Sequence, residues 1–173
     1  MSEKKIITER LILTPISYEI VCSTLNKDNE SLRKLGYRRS DDWPHPAFFD
    51  FFPKLKEQLK ELGEPNGFDG WIIVRKEDML IIGDGGFKGE PDEKGKIDIG
   101  YGLMKSERRK GYGYEAVKAL IQWGLEQDKV KKITADCLID NIGSKRILHK
   151  VGMSEVNRDD KMIYWEMINT LNK

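Results

Sequence analysis

The 173-residue sequence predicts an α/β fold of the α+β kind, one domain over residues 1–173 built on a mixed, mostly antiparallel sheet flanked by helices. Three observations predict it. Ile97, Ile99, Tyr101 and Leu103 alternate with Asp98, Gly100, Gly102 and Met104, the period-two pattern of a strand. The strand-rich runs before this segment are joined by short polar turns, as in an antiparallel meander. After it, two helical patterns bracket one further apolar run, which reads as a βαβ unit within a mixed sheet.

Each element has a local cause. Arg10 to Thr14 is a short strand stopped by Pro15, and residues 17–26 and 29–35 read as short helices, the first opened by Ser17 as N-cap. The segment 37–46, with Asp41, Asp42, Pro44 and Pro46, is a loop. Phe48, Phe52, Leu55, Leu59 and Leu62 recur at helical steps; Pro53 within the pattern either kinks that helix or marks a start just before it, and Gly63 ends it. Trp71 to Arg75 and Met79 to Asp84 are β-rich and joined by the polar Lys76-Glu77-Asp78, a hairpin signal. Gly89 to Gly95 is a turn leading into the alternating strand 96–104. Ala116, Val117, Leu120, Ile121, Gly124 and Leu125 mark an amphipathic helix over 114–128. Ile133 to Leu138 is a strand, and 143–151 a helix capped by Asp140 or Asn141 and ended by Gly152. Residues 153–157 and 161–168 close the chain as a hairpin around Asp159-Asp160.

Composition removes several function classes. Thirty basic and 29 acidic residues leave a net charge of +1, so no global attraction to nucleic acid or to an anionic membrane is expected and any basic function must be local. No apolar run approaches the ~20 residues of a membrane-spanning helix, and residues 1–10 lack the apolar core of a secretory signal. A cytoplasmic protein is expected. Cys22 and Cys137 read as two reduced thiols, and two cysteines with two histidines offer no metal set, so no metal is expected.

One segment carries chemistry. Lys105-Ser106-Glu107-Arg108-Arg109-Lys110-Gly111-Tyr112-Gly113-Tyr114 runs from a strand straight into a helix. A helix start exposes backbone N–H groups and a partial positive charge, which together attract anions. Gly111 and Gly113 let the backbone turn and approach a ligand closely, and Lys105, Arg108, Arg109 and Lys110 add charge suited to a polyphosphate. A solvated basic turn is the plain alternative. A P-loop does not fit, because no G-K-[ST] ends the segment, and the dinucleotide fingerprint fails on glycine spacing.

The R-x-x-G-x-G of Arg108 to Gly113, followed by Glu115-Ala116, resembles the acetyl-CoA signature of the GNAT acetyltransferase superfamily. Asn141 to Met153 is similar to the N-x-x-S-x-R-x-L-x-K-x-G-F segment of its RimJ/RimL-like branch, as are Thr8 to Leu11, Gly83 to Phe87 and Ile99 to Gly102. The resemblance spans nearly the whole chain in order. It implies a splayed sheet with coenzyme in a V between the strands at 96–104 and 133–138. Backbone groups of Leu103, Met104 and Lys105 would pair with the pantetheine amides, and N–H groups of Arg109, Lys110, Gly111, Tyr112, Gly113 and Tyr114 would hold the pyrophosphate beside Arg108. Asn141 would bond the pantetheine arm, with Ser144 and Arg146 on the same side. Three positions depart from the family: Arg109 stands where glycine is common, Met153 where Phe is usual, and Leu148 where other branches place a tyrosine that protonates the leaving thiolate.

The implied reaction moves acetyl from acetyl-CoA to a primary amine, on a protein N-terminus or a small molecule, by direct attack; a non-catalytic acyl-CoA sensor is the alternative. It needs a neutral amine, an oxyanion donor and a proton for sulfur. Asp98, sharing a strand face with Gly100 and Gly102, is the first candidate for base through water, against the plain reading of a paired carboxylate. The Met104 N–H is the oxyanion donor by family analogy, and Ser144 or water the acid. Cys137 reads as an inert thiol and His149 as a surface residue, while His45 either packs its loop or touches substrate. The aromatics Trp43, Phe48, Phe49, Phe51 and Phe52 read as packing. The edge of the closing hairpin could pair with a second copy in a homodimer.

Overall fold

A computed structural model describes residues 4–171. Its strands are β1 (Ile6–Ile7), β2 (Leu11–Pro15), β3 (Gly70–Arg75), β4 (Leu80–Phe87), β5 (Lys96–Leu103), β6 (Lys132–Leu138), β7 (Ser154–Arg158) and β8 (Met162–Ile168). Its helices are α1 (Tyr18–Leu25), α2 (Asn29–Lys34), α3 (Pro46–Phe49), α4 (Phe52–Leu62), α5 (Tyr112–Leu125) and α6 (Ile142–Lys150). The eight strands form one sheet in the order β1-β2-β3-β4-β5-β6-β8-β7, antiparallel throughout except for β5 beside β6. The mixed, mostly antiparallel architecture expected from the sequence is the one observed.

The sheet is buried on both faces across β2 to β4, and β3 shows why its sequence is almost continuously apolar. Trp71 and Ile73 point into a core shared with Ala116, Val117 and Leu120 of α5 and Leu148 of α6. Ile72 and Val74 point into a second core with Ile20 and Val21 of α1, Leu32 of α2 and Phe52, Leu55 and Leu59 of α4. The helical pattern starting at Phe48 proves to be two helices. Residues 50 and 51 separate them, and Pro53 occupies the first turn of α4, where its missing N–H costs no helical bond.

One irregularity positions the site. β5 and β6 pair only at Lys96–Asp98 with Lys132–Thr134. Beyond Asp98, β5 continues for five residues along β4, and β6 continues for four along β8. Two strands that start paired and then follow different neighbours leave a wedge between them, the splay expected from the resemblance.

Candidate active site

The free edge of β5 inside the wedge follows from the ladder on its other side. The Met104 N–H donates to Ile82 O at 2.9 Å, and the Lys88 N–H donates to Asp98 O at 3.0 Å. Both lie on the register that pairs Gly102 with Asp84 and Gly100 with Gly86. Backbone groups of the even-numbered residues 98–104 therefore face β4, and those of Ile99, Tyr101 and Leu103 face the wedge. This corrects the role expected for Met104. Its N–H is committed to the sheet, so donors for an extended ligand or an oxyanion belong to the odd-numbered positions. Leu103 remains on that edge, where its carbonyl accepts from Arg108 Nε at 3.1 Å.

At the outer end of β5 a 3-10 turn (Lys105–Glu107) leads into α5. Gly111 is the N-cap, left-handed at φ 83°, and no side chain caps the helix, so the first-turn N–H groups of Tyr112, Gly113 and Tyr114 have no side-chain acceptor. Arg109 is also left-handed, at φ 62°, and so adopts the backbone shape that glycine takes more cheaply. The loop is held from behind. Glu115 in the first turn of α5 accepts from Thr8 Oγ1 at 2.6 Å and from the Arg10 N–H and Nε at 2.8 Å each, while Arg10 Nη1 donates to Lys110 O at 2.9 Å. Burial pushes the Glu115 carboxyl up, but these hydrogen bonds outweigh it and hold the pKa below the ordinary value. The Arg10 guanidinium also stacks on the Tyr112 ring at 4.4 Å. Thus Thr8 to Leu11, quoted above as a family likeness, is the brace of the anion loop. Lys110 is partly neutralised by Glu107 at 3.3 Å, which leaves Lys105, Arg108 and Arg109 as the cations without an acidic partner among the described residues.

Gly113 serves a different purpose from the one its motif suggests. A Cβ there would lie 2.8 Å from Ile147 Cδ1 and 3.5 Å from Leu103 Cδ1, so the glycine lets α5 approach α6 and β5 closely.

Across the wedge, Asn141 caps α6 by accepting from the Ser144 N–H at 3.0 Å, which leaves its amide NH₂ to donate outward. Arg146 is exposed on the same helix. Ser144 Oγ lies 2.8 Å from Tyr101 Oη, a bond that joins the two arms of the wedge. Burial pushes the Tyr101 hydroxyl up to about 12 against the opposing Ser144 bond, so it holds its proton at neutral pH. Leu148 is fully buried in the core. A hydroxyl beside Ser144 is therefore supplied from β5 and not from the α6 position that the family likeness singled out.

Asp98 sits at the closed end of the wedge. Thr134 Oγ1 donates to its Oδ1 at 2.7 Å and Lys88 Nζ lies 2.5 Å from its Oδ2. With both oxygens engaged, Asp98 ties β5 to β6 and to the end of β4, which is the paired-carboxylate reading.

On the face away from α5, a cleft of about 540 Å³ opens between the α3–α4 segment and strands β3–β5. Its floor is glycine: a Cβ on Gly100 or Gly102 would meet nothing within 4 Å. Into this cleft faces Asp84 of β4, only 7 % exposed, which accepts from Trp43 Nε1 at 2.8 Å. Burial pushes its carboxyl up to about 7, with the Trp43 bond opposing. Sequence alone does not single out Asp84, which stands there only as one position of Gly83 to Phe87. The available signal was one acidic residue inside a glycine-rich strand that is otherwise wholly apolar.

Among the described residues no cluster of His, Cys, Asp or Glu has the makings of a metal site, and no helix is long and apolar enough to cross a membrane.

Residues 10–154 match the model of the acetyltransferase (GNAT) domain. The chain is 39 % identical over 158 residues to the uncharacterized N-acetyltransferase YjdG of Bacillus subtilis, covering 91 % of this chain and 94 % of that protein. Its fold is similar to that of the ribosomal-protein-S5-alanine acetyltransferase of Vibrio fischeri, with a TM-score of 0.73 at 19 % identity over 98 % of each chain. It is also similar to the microcin C7 self-immunity acetyltransferase MccE solved with acetyl-CoA and AMP, with a TM-score of 0.63 at 16 % identity over 93 % of each. A wedge-split sheet, an uncapped basic helix start and a family model spanning most of the sequence agree, and the chain belongs to the GNAT family as an N-acetyltransferase.

Proposed function

We propose that the protein transfers acetyl from acetyl-CoA to a primary amine by direct attack, as a member of the RimJ/RimL-like branch. The observation that carries this is the uncapped first turn of α5, beside the unpaired edge of β5 in the wedge. The donor set fits a diphosphate ester with an extended amide-bearing arm. In this reading the N–H groups of Arg109 to Tyr114 and the side chains of Lys105 and Arg108 hold the diphosphate. Tyr101 and Leu103 pair along the arm from one side, while Asn141 and Ser144 line the other, with Arg146 outside. Bound acetyl-CoA supplies an acyl group activated as a thioester. The chain's own contribution is to hold that group and the amine in contact, which needs no covalent enzyme intermediate. Ser144, hydrogen-bonded to the protonated Tyr101 hydroxyl, is the proton source for the departing thiolate in this reading.

Calorimetric titration with CoA tests the loop. Arg108→Glu combined with Gly111→Val should weaken binding about tenfold or more, because one lost charge-assisted contact is worth at least that factor. Unchanged affinity would remove the loop from the site. Thiol release from acetyl-CoA, followed across a panel of amines and N-terminal peptides, tests the transfer itself. Tight CoA binding with no turnover on any acceptor would leave a sensor in place of an enzyme acting on amines.

A further inference from the structure

We propose that the glycine-floored cleft beside β5 is the acceptor site, that it takes a primary amine carried on an apolar body, and that Asp84 is the group that receives the amine's proton. The proposal rests on the acetyl-transfer reading above and adds to it a site and a catalytic residue.

Three observations converge on Asp84. Its place is fixed by the ladder: Asp84 pairs with Gly102, next to Tyr101 and Leu103, whose backbone forms the wedge edge. A group on the cleft face of β4 at this register is one strand away from that edge, about 4.8 Å in the pairing direction. Aromatic rings make up much of the cleft wall. Phe48 and Phe51 line the cleft from the α3–α4 side and Phe87 from β4, while the bare Gly100 and Gly102 leave room above the strand. Finally, Asp84 is tethered on one side only. Trp43, 2 % exposed and packed edge-on against Phe52 at 6.1 Å, donates to Oδ2, and Oδ1 has no hydrogen-bond partner among the described residues. A buried carboxylate with one fixed and one free oxygen, facing a cleft, is built to accept a proton.

The ammonium of the acceptor gives one proton to Asp84 Oδ1. The freed nitrogen lone pair forms the amide C–N bond as the C–S bond breaks, with the electron pair leaving on sulfur. Sulfur gains a proton, nitrogen loses its second, and Asp84 returns its own to solvent through the cleft. Trp43 is a positioning residue.

Other charged groups reach the same cleft: His45 from the loop before α3, Lys54 from α4, Asp69 before β3, and Lys88 after β4, itself neutralised by Asp98 of β5. Asp69 is held by Gln58 Nε2 at 2.9 Å. Histidine is the other side-chain type that changes charge near neutrality, so His45→Asn is the control.

The experiment follows kcat/KM against pH for 2-phenylethylamine, L-phenylalaninamide and a tetrapeptide with a free N-terminal Phe. Wild type should show an acid limb near neutrality. Asp84→Asn should lower kcat by about 100-fold or more, within the range for a lost acid–base group, and abolish the limb while leaving CoA affinity intact. His45→Asn should keep the limb. A limb unmoved in Asp84→Asn, or one lost in His45→Asn, would overturn the assignment. In parallel, the Asp84 carboxyl carbon is followed by ¹³C NMR with and without 2-phenylethylamine. A midpoint near neutrality that moves with the amine supports the site, and an unresponsive one sinks it. If CoA binds but no panel amine is acetylated, the transfer reading fails on these acceptors, and the carboxyl titration still decides whether the cleft binds amines.

Discussion

Asp84 makes the fold pH-sensitive in a direction that can be worked out in advance. Its carboxyl is raised from 3.8 to about 7 by burial, against the Trp43 bond. Below 3.8 both folded and unfolded chains hold the proton, and the group costs nothing. Between 3.8 and about 7 the unfolded chain releases its proton while the folded one keeps it, so stability from this group is lost as pH rises. Each pH unit in that window removes ~1.4 kcal/mol, or ~4 kcal/mol in all, an order-of-magnitude figure, and the loss is flat above it. Asp84→Asn has the same shape, keeps an oxygen for Trp43 Nε1 and cannot ionise. It should therefore match wild type near pH 4 and exceed it by up to ~4 kcal/mol near pH 8, raising Tm by roughly 8–16 °C in a chain of this size. Urea unfolding followed by circular dichroism across that range measures the difference. Other carboxylates cancel because both proteins carry them. A difference that stays flat with pH, or a variant less stable near pH 8, would refute the argument. A more stable and less active variant would mark Asp84 as a group kept for function at the expense of the fold.

Two further outcomes test the frame of the coenzyme loop. Gly113→Ala places a Cβ 2.8 Å from Ile147 Cδ1, the movable end of a flexible side chain, and puts a better helix former into α5, so the two effects should nearly cancel and stability should change by less than ~1 kcal/mol; Ile147→Ala in the same chain should make the substitution more favourable, and independent effects would contradict the contact. Glu115→Gln should cost ~1–3 kcal/mol at neutral pH through its bonds to Thr8 and Arg10, and the cost should shrink as pH falls through the depressed carboxyl, because a group held below its ordinary value stabilises only while ionised. Chemical denaturation of both proteins at neutral and acid pH checks this, and a pH-independent difference would deny the brace.

The sequence by itself determined what depends on neighbours in the chain. Alternation at 96–104 gives β5, and the run from Arg108 to Tyr114 gives an anion site, because consecutive residues at a helix start supply both the amides and the charge. Asn141 as a cap is local in the same sense. What only the tertiary structure decided depends on partners far along the chain. Asp98 and Asp84 are both single aspartates among strand glycines. One meets Thr134 and Lys88 and becomes a tie; the other meets Trp43, 41 residues away, and stays alone in a cleft. The sequence chose Asp98 because strand alternation was visible and burial was not. The role of Met104 turned on which backbone edge β4 occupies, a register that no single strand encodes. Leu148 lay within a matching motif, but its side chain packs in the core, and the hydroxyl beside Ser144 comes from Tyr101, 43 residues distant. Local order fixes where an anion can be gripped, while the state of a carboxyl or a hydroxyl is set by desolvation and by whichever groups the fold brings against it.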